Sequence, residues 1–189
     1  MLRRLGLAAV ALLAAIAPAS ADRGSDAAWS ALVAGGHVAL IRHGNAPPVG
    51  GDPPGFRLDD CKTQRNLDDW GRRQAVALGE AFRQRGVQVD RVVSSPWCRC
   101  RDTASLMAVG DHETSWALVP DQNPNVPIRV KELRELVSGW RGPGTLVLVT
   151  HALTIRPLAG YLPDQAEIVV FKPTPGAEPR LVGSIAPPR

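Results

Sequence analysis

Two short runs, HVALI at 37–41, apolar from Val38 onward, and TLVLVT at 145–150, limit this chain more than any other feature. A strand with one wetted face alternates apolar and polar side chains. A run without that alternation is buried on both faces, which suits a parallel sheet covered by helices. Helical stretches stand where such a sheet needs them. Ser25 can cap a helix over DAAWSALVA that stops at Gly35–Gly36, and from Asp68 as N-cap the run DWGRRQAVALGEAFRQRG puts Gly71, Ala75, Leu78 and Phe82 on one face. VDRVVSSP reads as the next strand, WCRCRDTASLM as the next helix, and SWALVPD as a third, shorter strand. PIRVKELRELVSGW then places Val130, Leu133, Val137 and Trp140 along one stripe. EIVVFKP and RLVGSIAP, joined through the turn-rich TPGAEP, read as a closing hairpin. The expected fold is therefore α/β: a three-layer α/β/α sandwich with a mainly parallel central sheet and an antiparallel edge.

The first 21 residues stand apart from this pattern. Arg3 and Arg4, the apolar LGLAAVALLAAIA and the small-residue ASA ending at Ala21 read as a cleaved secretory leader. Residues 22 to 189 then form one expected domain, exported and most consistent with a periplasmic location, with no stable membrane anchor after cleavage. Losing Arg3 and Arg4 lowers the formal charge from +4 to +2, and without Lys/Arg runs nucleic acid is excluded as a partner. Export also permits disulfides. Cys61 is expected to pair with either Cys98 or Cys100, leaving the third thiol as a small buried hydrophobe. Zinc is excluded because C-x-C without a second Cys or His pair is no tetrahedral set.

In open α/β sheets ligands bind beyond the carboxyl ends of the strands. Arg42, His43 and His151 fall at such ends. Ser94, Ser95 and Pro96 end another strand, Arg99 lies about one helical turn further on, and Arg65 leads into the long helix. The Gly/Pro-rich segment GNAPPVGGDPPGFRLDDCKTQ is long enough to wall a site. Two histidines and three arginines in one pocket repel one another unless an anion normally occupies it. A phosphoryl group is the natural occupant, because guanidinium forks match its oxygens.

Singly, each of these features is common. Together, LIRHGNA, RNLDDWGRRQA, VVSSPWCRCRDTA and LVLVTHALTIRPL resemble, in the same order, the R-H-G, R-x-L-x-x-x-G-x-x-Q-A, S-S-P-x-x-R-A-x-x-T-A and V-x-H segments of the histidine phosphatase superfamily, the phosphoglycerate-mutase-like proteins. The resemblance covers roughly residues 37–160. It implies His43 as nucleophile forming a phosphohistidine, Arg42, Arg99 and Arg65 as phosphate ligands, His151 as a further stabiliser of transition-state charge, and no metal or other cofactor. Ser94 and Ser95 read as turn residues.

Two departures from the family pattern matter. Cys98 and Cys100 flank Arg99, which suggests that a disulfide braces that loop. The L-x-E segment that supplies a general acid in many family members matches LRE ending at Glu135, but Glu135 falls on the exposed side of the helix at 127–140. Asp121, at the end of the preceding strand, is the better-placed proton donor. The 52 positions between Arg99 and His151 (151 − 99) leave no room for the long capping insertion of the cofactor-dependent mutases. The expected activity is thus an exported phosphatase acting on small phosphorylated substrates. Phosphomutase, or a non-catalytic anion-binding envelope domain that keeps the pocket, are the competing classes.

Overall fold

The computed structural model describes residues 20–48, 50–120 and 128–188. The expected leader, apart from its last two residues, and the expected acid Asp121 lie outside this range. Six strands form one sheet: β1 (Val38–Arg42), β2 (Val89–Ser94), β3 (His112–Thr114), β4 (Thr145–Thr150), β5 (Ile168–Lys172) and β6 (Arg180–Ile185), in the order β3-β2-β4-β1-β5-β6. β3, β2, β4 and β1 are mutually parallel, while β5 pairs antiparallel with β1 and β6 antiparallel with β5. The α/β sandwich with an antiparallel edge is therefore observed.

The uninterrupted apolar runs are buried on both faces. Val147 and Val149 of β4 join Ala39 and Ile41 of β1 in a core closed by α1 (Ser20–Ala34), α2 (Asp69–Gln84) and α3 (Cys98–Met107), through Leu32, Phe82 and Met107 among others. Leu146 and Leu148 point the other way, with Val38, Leu40 and Phe171, onto α4 (Ile128–Ser138) and α5 (Ala152–Ala159), which contribute Leu133, Val137 and Ile155. Each fully buried Leu, Val or Phe contributes about 1.5–3 kcal/mol of transfer free energy, so burial on both faces is what stabilises the sheet.

Two elements differ from the sequence reading. SWALVPD is not a strand: Trp116–Leu118 is a single 3₁₀ turn, with the Ser115 hydroxyl accepting from the Ala117 amide. The edge beside β2 is taken earlier, by the polar His112–Thr114, which pairs with Val92–Ser94 directly after Gly110 turns the chain at φ 146°. Leu118 and Val119 are instead buried in the cores on opposite faces of the sheet, and the Leu118 carbonyl accepts from the Thr150 hydroxyl. The first helix is the second difference. It runs from Ser20, so Ser25 lies inside it, because α1 packs on β6 where Gly183 lets the Gly24 backbone approach to a distance that no side chain would permit.

Candidate active site

The sheet register assembles the site. Arg42 of β1 is paired with Thr150 of β4, and Ser94 of β2 with Val149 of β4. The next residues along the chain, His43, His151 and Ser95, therefore emerge side by side. After β1 the chain passes to α2 on one face of the sheet, and after β4 it passes to α5 on the other, so a crevice opens between these two strand ends. It is a cavity of about 370 Å³ lined by Arg42, His43, Arg65, Arg99 and His151, with Gly50 and Gly51 from the long loop and Pro120, Ala152, Leu153 and Gln165 at its remaining walls. All five described candidates thus share one pocket.

The histidine rings lie 5.5 Å apart between centroids, at 71° to each other, and are 2 % and 6 % exposed. His43 Nδ1 is 2.8 Å from the Gly44 carbonyl. A carbonyl can only accept, so Nδ1 carries the proton and Nε2 keeps its lone pair free. Burial, and then the Arg99 charge, depress the His43 pKa to about 3; the Gly44 bond opposes this, and Arg42 and Arg65 add to it. His151 is held well below the ordinary imidazole range by burial first, then by His43 and the same three arginines. Its Nε2 is 2.9 Å from Ser95 Oγ, and the Trp97 indole packs edge-on against its ring at 5.6 Å. Cys100 Sγ lies 3.6 Å from Nε2, and burial pushes that thiol up to about 12, so it stays a neutral packing group.

The three guanidiniums share one construction. Each is tied at Nη1 to a protein acceptor: Arg42 to the Pro163 carbonyl at 2.9 Å, Arg65 to the Ala46 carbonyl, and Arg99 to Asp52 Oδ1 at 2.8 Å. In each, Nε is buried without any hydrogen-bond partner. A buried, unpaired charged donor is costly, and the three arginines that each carry one line the same cavity, an arrangement that suits an anion. Burial lowers the pKa of Arg42 and Arg65 from the ordinary guanidinium value, opposed in part by Asp164 and Glu167 at Arg42 and by Asp52 at Arg65.

The remaining motif residues hold this array in place. The Gly44 amide donates to Thr103 Oγ1, which donates to the Arg99 carbonyl. The Asn45 amide donates to Gln74 Oε1, and Asp68 caps α2 at the Gly71 amide while accepting from Asn45 Nδ2. Gly71 meets the Asn45 backbone so closely that a Cβ there would overlap it. A single disulfide, Cys61–Cys98, settles the pairing left open by the sequence and leaves Cys100 free.

Glu135 does not reach the pocket. Its side chain is 66 % exposed and lies 3.8 Å from Lys131. Among the described residues no carboxylate lines the cavity, although Pro120, directly before Asp121, does. Nor does any described group of three or more His, Cys, Asp or Glu suit a metal ion. Sequence reasoning missed Asp52, Ser95 as a partner of His151, and Trp97. The only signal for Asp52 was its place in the GGDPP turn of the loop assigned to the site wall.

Residues 38–121, which hold the first three of the four motifs, match the model of the histidine phosphatase superfamily (branch 1). Over 71 residues the chain is 34 % identical to the mitochondrial serine/threonine-protein phosphatase Pgam5 of Drosophila virilis, and 32 % identical to that of Drosophila grimshawi. This segment is 38 % of the chain and spans 22 % of each relative's length. In fold the chain is similar to the protein histidine phosphatase SixA in complex with tungstate, with TM-score 0.59 and 16 % identity over 79 % of this chain and 96 % of that one. It is also similar to a putative phosphohistidine phosphatase SixA from Nakamurella multipartitia, with TM-score 0.57 and 21 % identity over 81 % and 96 %.

Proposed function

We propose that this member of the histidine phosphatase superfamily is an exported phosphatase that hydrolyses phosphate monoesters through a phosphohistidine on His43. One observation carries the reading: three arginines, each with a buried and unpaired Nε, line one cavity with an imidazole whose Nδ1 is held by a backbone carbonyl and whose Nε2 is free. Such a pocket suits an oxyanion at the guanidinium edges and a phosphorus atom in front of Nε2. In the first step Nε2 forms a bond to phosphorus while the ester P–O bond breaks in line, and the leaving oxygen takes a proton from an acid, for which Asp121 is our candidate. In the second step the oxygen of a water bonds to phosphorus while the P–Nε2 bond breaks, the conjugate base of that acid takes the water's proton, and inorganic phosphate departs. Arg42, Arg65 and Arg99 hold the equatorial oxygens throughout, and His151, fixed by Ser95 and Trp97, adds to the stabilisation of the transition-state charge. These steps balance with the protein's own groups, so activity is expected to survive EDTA.

Export is supported by the leader-like start of the chain and by the Cys61–Cys98 disulfide, which suits an oxidising compartment. It directs the substrate proposal to small phosphate esters or envelope-linked phosphates, handled by a single domain over residues 22–189. The test is a short-time quench with a phosphate ester in the presence of EDTA. It should leave an acid-labile, base-stable adduct on the peptide containing residues 39–48, and His43→Ala should abolish adduct and turnover together. Robust turnover by a well-folded His43→Ala protein would overturn the mechanism.

A further inference from the structure

Asp52 is a buried carboxylate that the chemistry above leaves without a task. Its side chain is 7 % exposed, and it comes from the Gly/Pro-rich loop rather than from the sheet. Oδ1 accepts from the Arg99 guanidinium at 2.8 Å and from the Arg65 backbone amide at 2.9 Å, while Oδ2 accepts from the Trp97 indole at 2.8 Å. Trp97 in turn packs against His151. One carboxylate therefore touches two of the three arginine positions and the ring that backs the second histidine.

The geometry at Arg99 defines the consequence. A guanidinium has one edge formed by Nε and Nη2, and Nη1 lies away from that edge. Asp52 takes Nη1, shared with the Arg65 carbonyl at 3.3 Å, and the Nε on the other edge is buried and unpaired. A rotationally free guanidinium would have to be ordered at the moment an anion binds, whereas one clamped at Nη1 is already oriented. Burial alone would raise the Asp52 pKa, but the Arg65 amide, then Arg99 and Trp97, more than offset this and hold it below the usual carboxylate range.

We propose that Asp52 is a positioning residue of the anion pocket: it clamps Arg99 by Nη1 and so holds the guanidinium in place at the cavity that receives the phosphoryl group. The proposal rests on the phosphate-pocket reading above. An alternative assigns Asp52 the opposite effect, a resident counter-charge that competes with the ligand for Arg99. The two differ in sign.

Calorimetric titration of the oxidised chain with inorganic phosphate separates them. Asp52→Asn preserves shape but cannot satisfy all three donors, so phosphate should bind about tenfold more weakly. In an Arg99→Ala background the same change should alter the dissociation constant less than about twofold, because the residue through which it acts is gone. Asp52→Glu, which keeps the charge, should bind phosphate more tightly than Asp52→Asn, and it carries the same cycle if the Asn protein does not fold. Unchanged or tighter binding by Asp52→Asn overturns the proposal, as does an undiminished loss in the Arg99→Ala background. Failure of the wild-type chain to bind phosphate removes the pocket reading as well, whereas wild-type binding with an indifferent Asp52→Asn removes only this proposal.

Discussion

Replacing His43 by asparagine should flatten the acid side of the stability curve, and the size of the effect follows from the burial of that ring. In the unfolded chain the imidazole titrates near its ordinary value of 6.5; in the folded protein burial and the neighbouring arginines bring it to about 3. Between those values the unfolded state binds a proton that the folded state refuses. Stability contributed by the neutral ring is therefore complete above pH 6.5 and is lost as the pH falls towards 3. For this single group the loss between pH 7 and pH 5 amounts to about 2 kcal/mol. Urea unfolding at the two pH values, in wild type and His43→Asn, isolates it, because the carboxylates titrate in both proteins. The pH 7 to pH 5 loss in the variant should be smaller than in wild type by about 2 kcal/mol. Losses equal to within about 0.5 kcal/mol would mean that His43 titrates as an ordinary solvated histidine, and the argument from its burial and its arginine neighbours would fail.

Two further outcomes can be measured on the same preparations. The Cys61–Cys98 disulfide closes a loop across a sequence separation of 37, so Cys61→Ala/Cys98→Ala should lose about 4 kcal/mol if loop entropy in the unfolded chain dominates. For a domain of this size that is a fall in Tm of about 8–16 °C by scanning calorimetry, and a fall of only a degree or two would refute the entropic account. Asp121→Asn should slow hydrolysis of esters with poor leaving groups far more than of activated aryl esters, while exposed Glu135→Gln should leave both within about twofold. The reverse ranking in steady-state kinetics would return the acid role to the L-x-E match.

What could be read in the sequence and what could not divide along a physical line. β1 and β4 were legible because burial on both faces writes itself into consecutive residues, and α2 because its stripe and the Asp68 cap are local. His43, His151 and Arg42 followed from those strands, since a residue one step past a strand end has few places to go. β3 was not legible: three polar residues become a strand only because the β2 edge is there to pair with them. The extension of α1 past Ser25 likewise depends on Gly183, far away in the chain.

Asp52 marks the same boundary inside the site. Its partners lie 13 residues away at Arg65 and 47 away at Arg99, and no periodicity links a loop carboxylate to either. A cation-rich pocket nonetheless poses a question that sequence alone can frame. Three arginines drawn to one sheet edge must each find something for their several donors, and backbone carbonyls are the cheapest acceptors at hand. Arg42 and Arg65 use Pro163 and Ala46 in that way. Arg99 stands at the start of α3, where the neighbouring carbonyls are committed to the helix: the Trp97 carbonyl accepts from the Cys100 and Arg101 amides. It draws instead on a carboxylate from the loop and on the Arg65 carbonyl that the same loop presents. The loop that walls the cavity is thus the complement of the arginine that the helix could not satisfy, and the disulfide from Cys61 to Cys98 fastens loop and helix together one residue before Arg99. Anion affinity and oxidative stability should therefore fall together when that junction is opened, a coupling that neither the arginines nor the cysteines would impose alone.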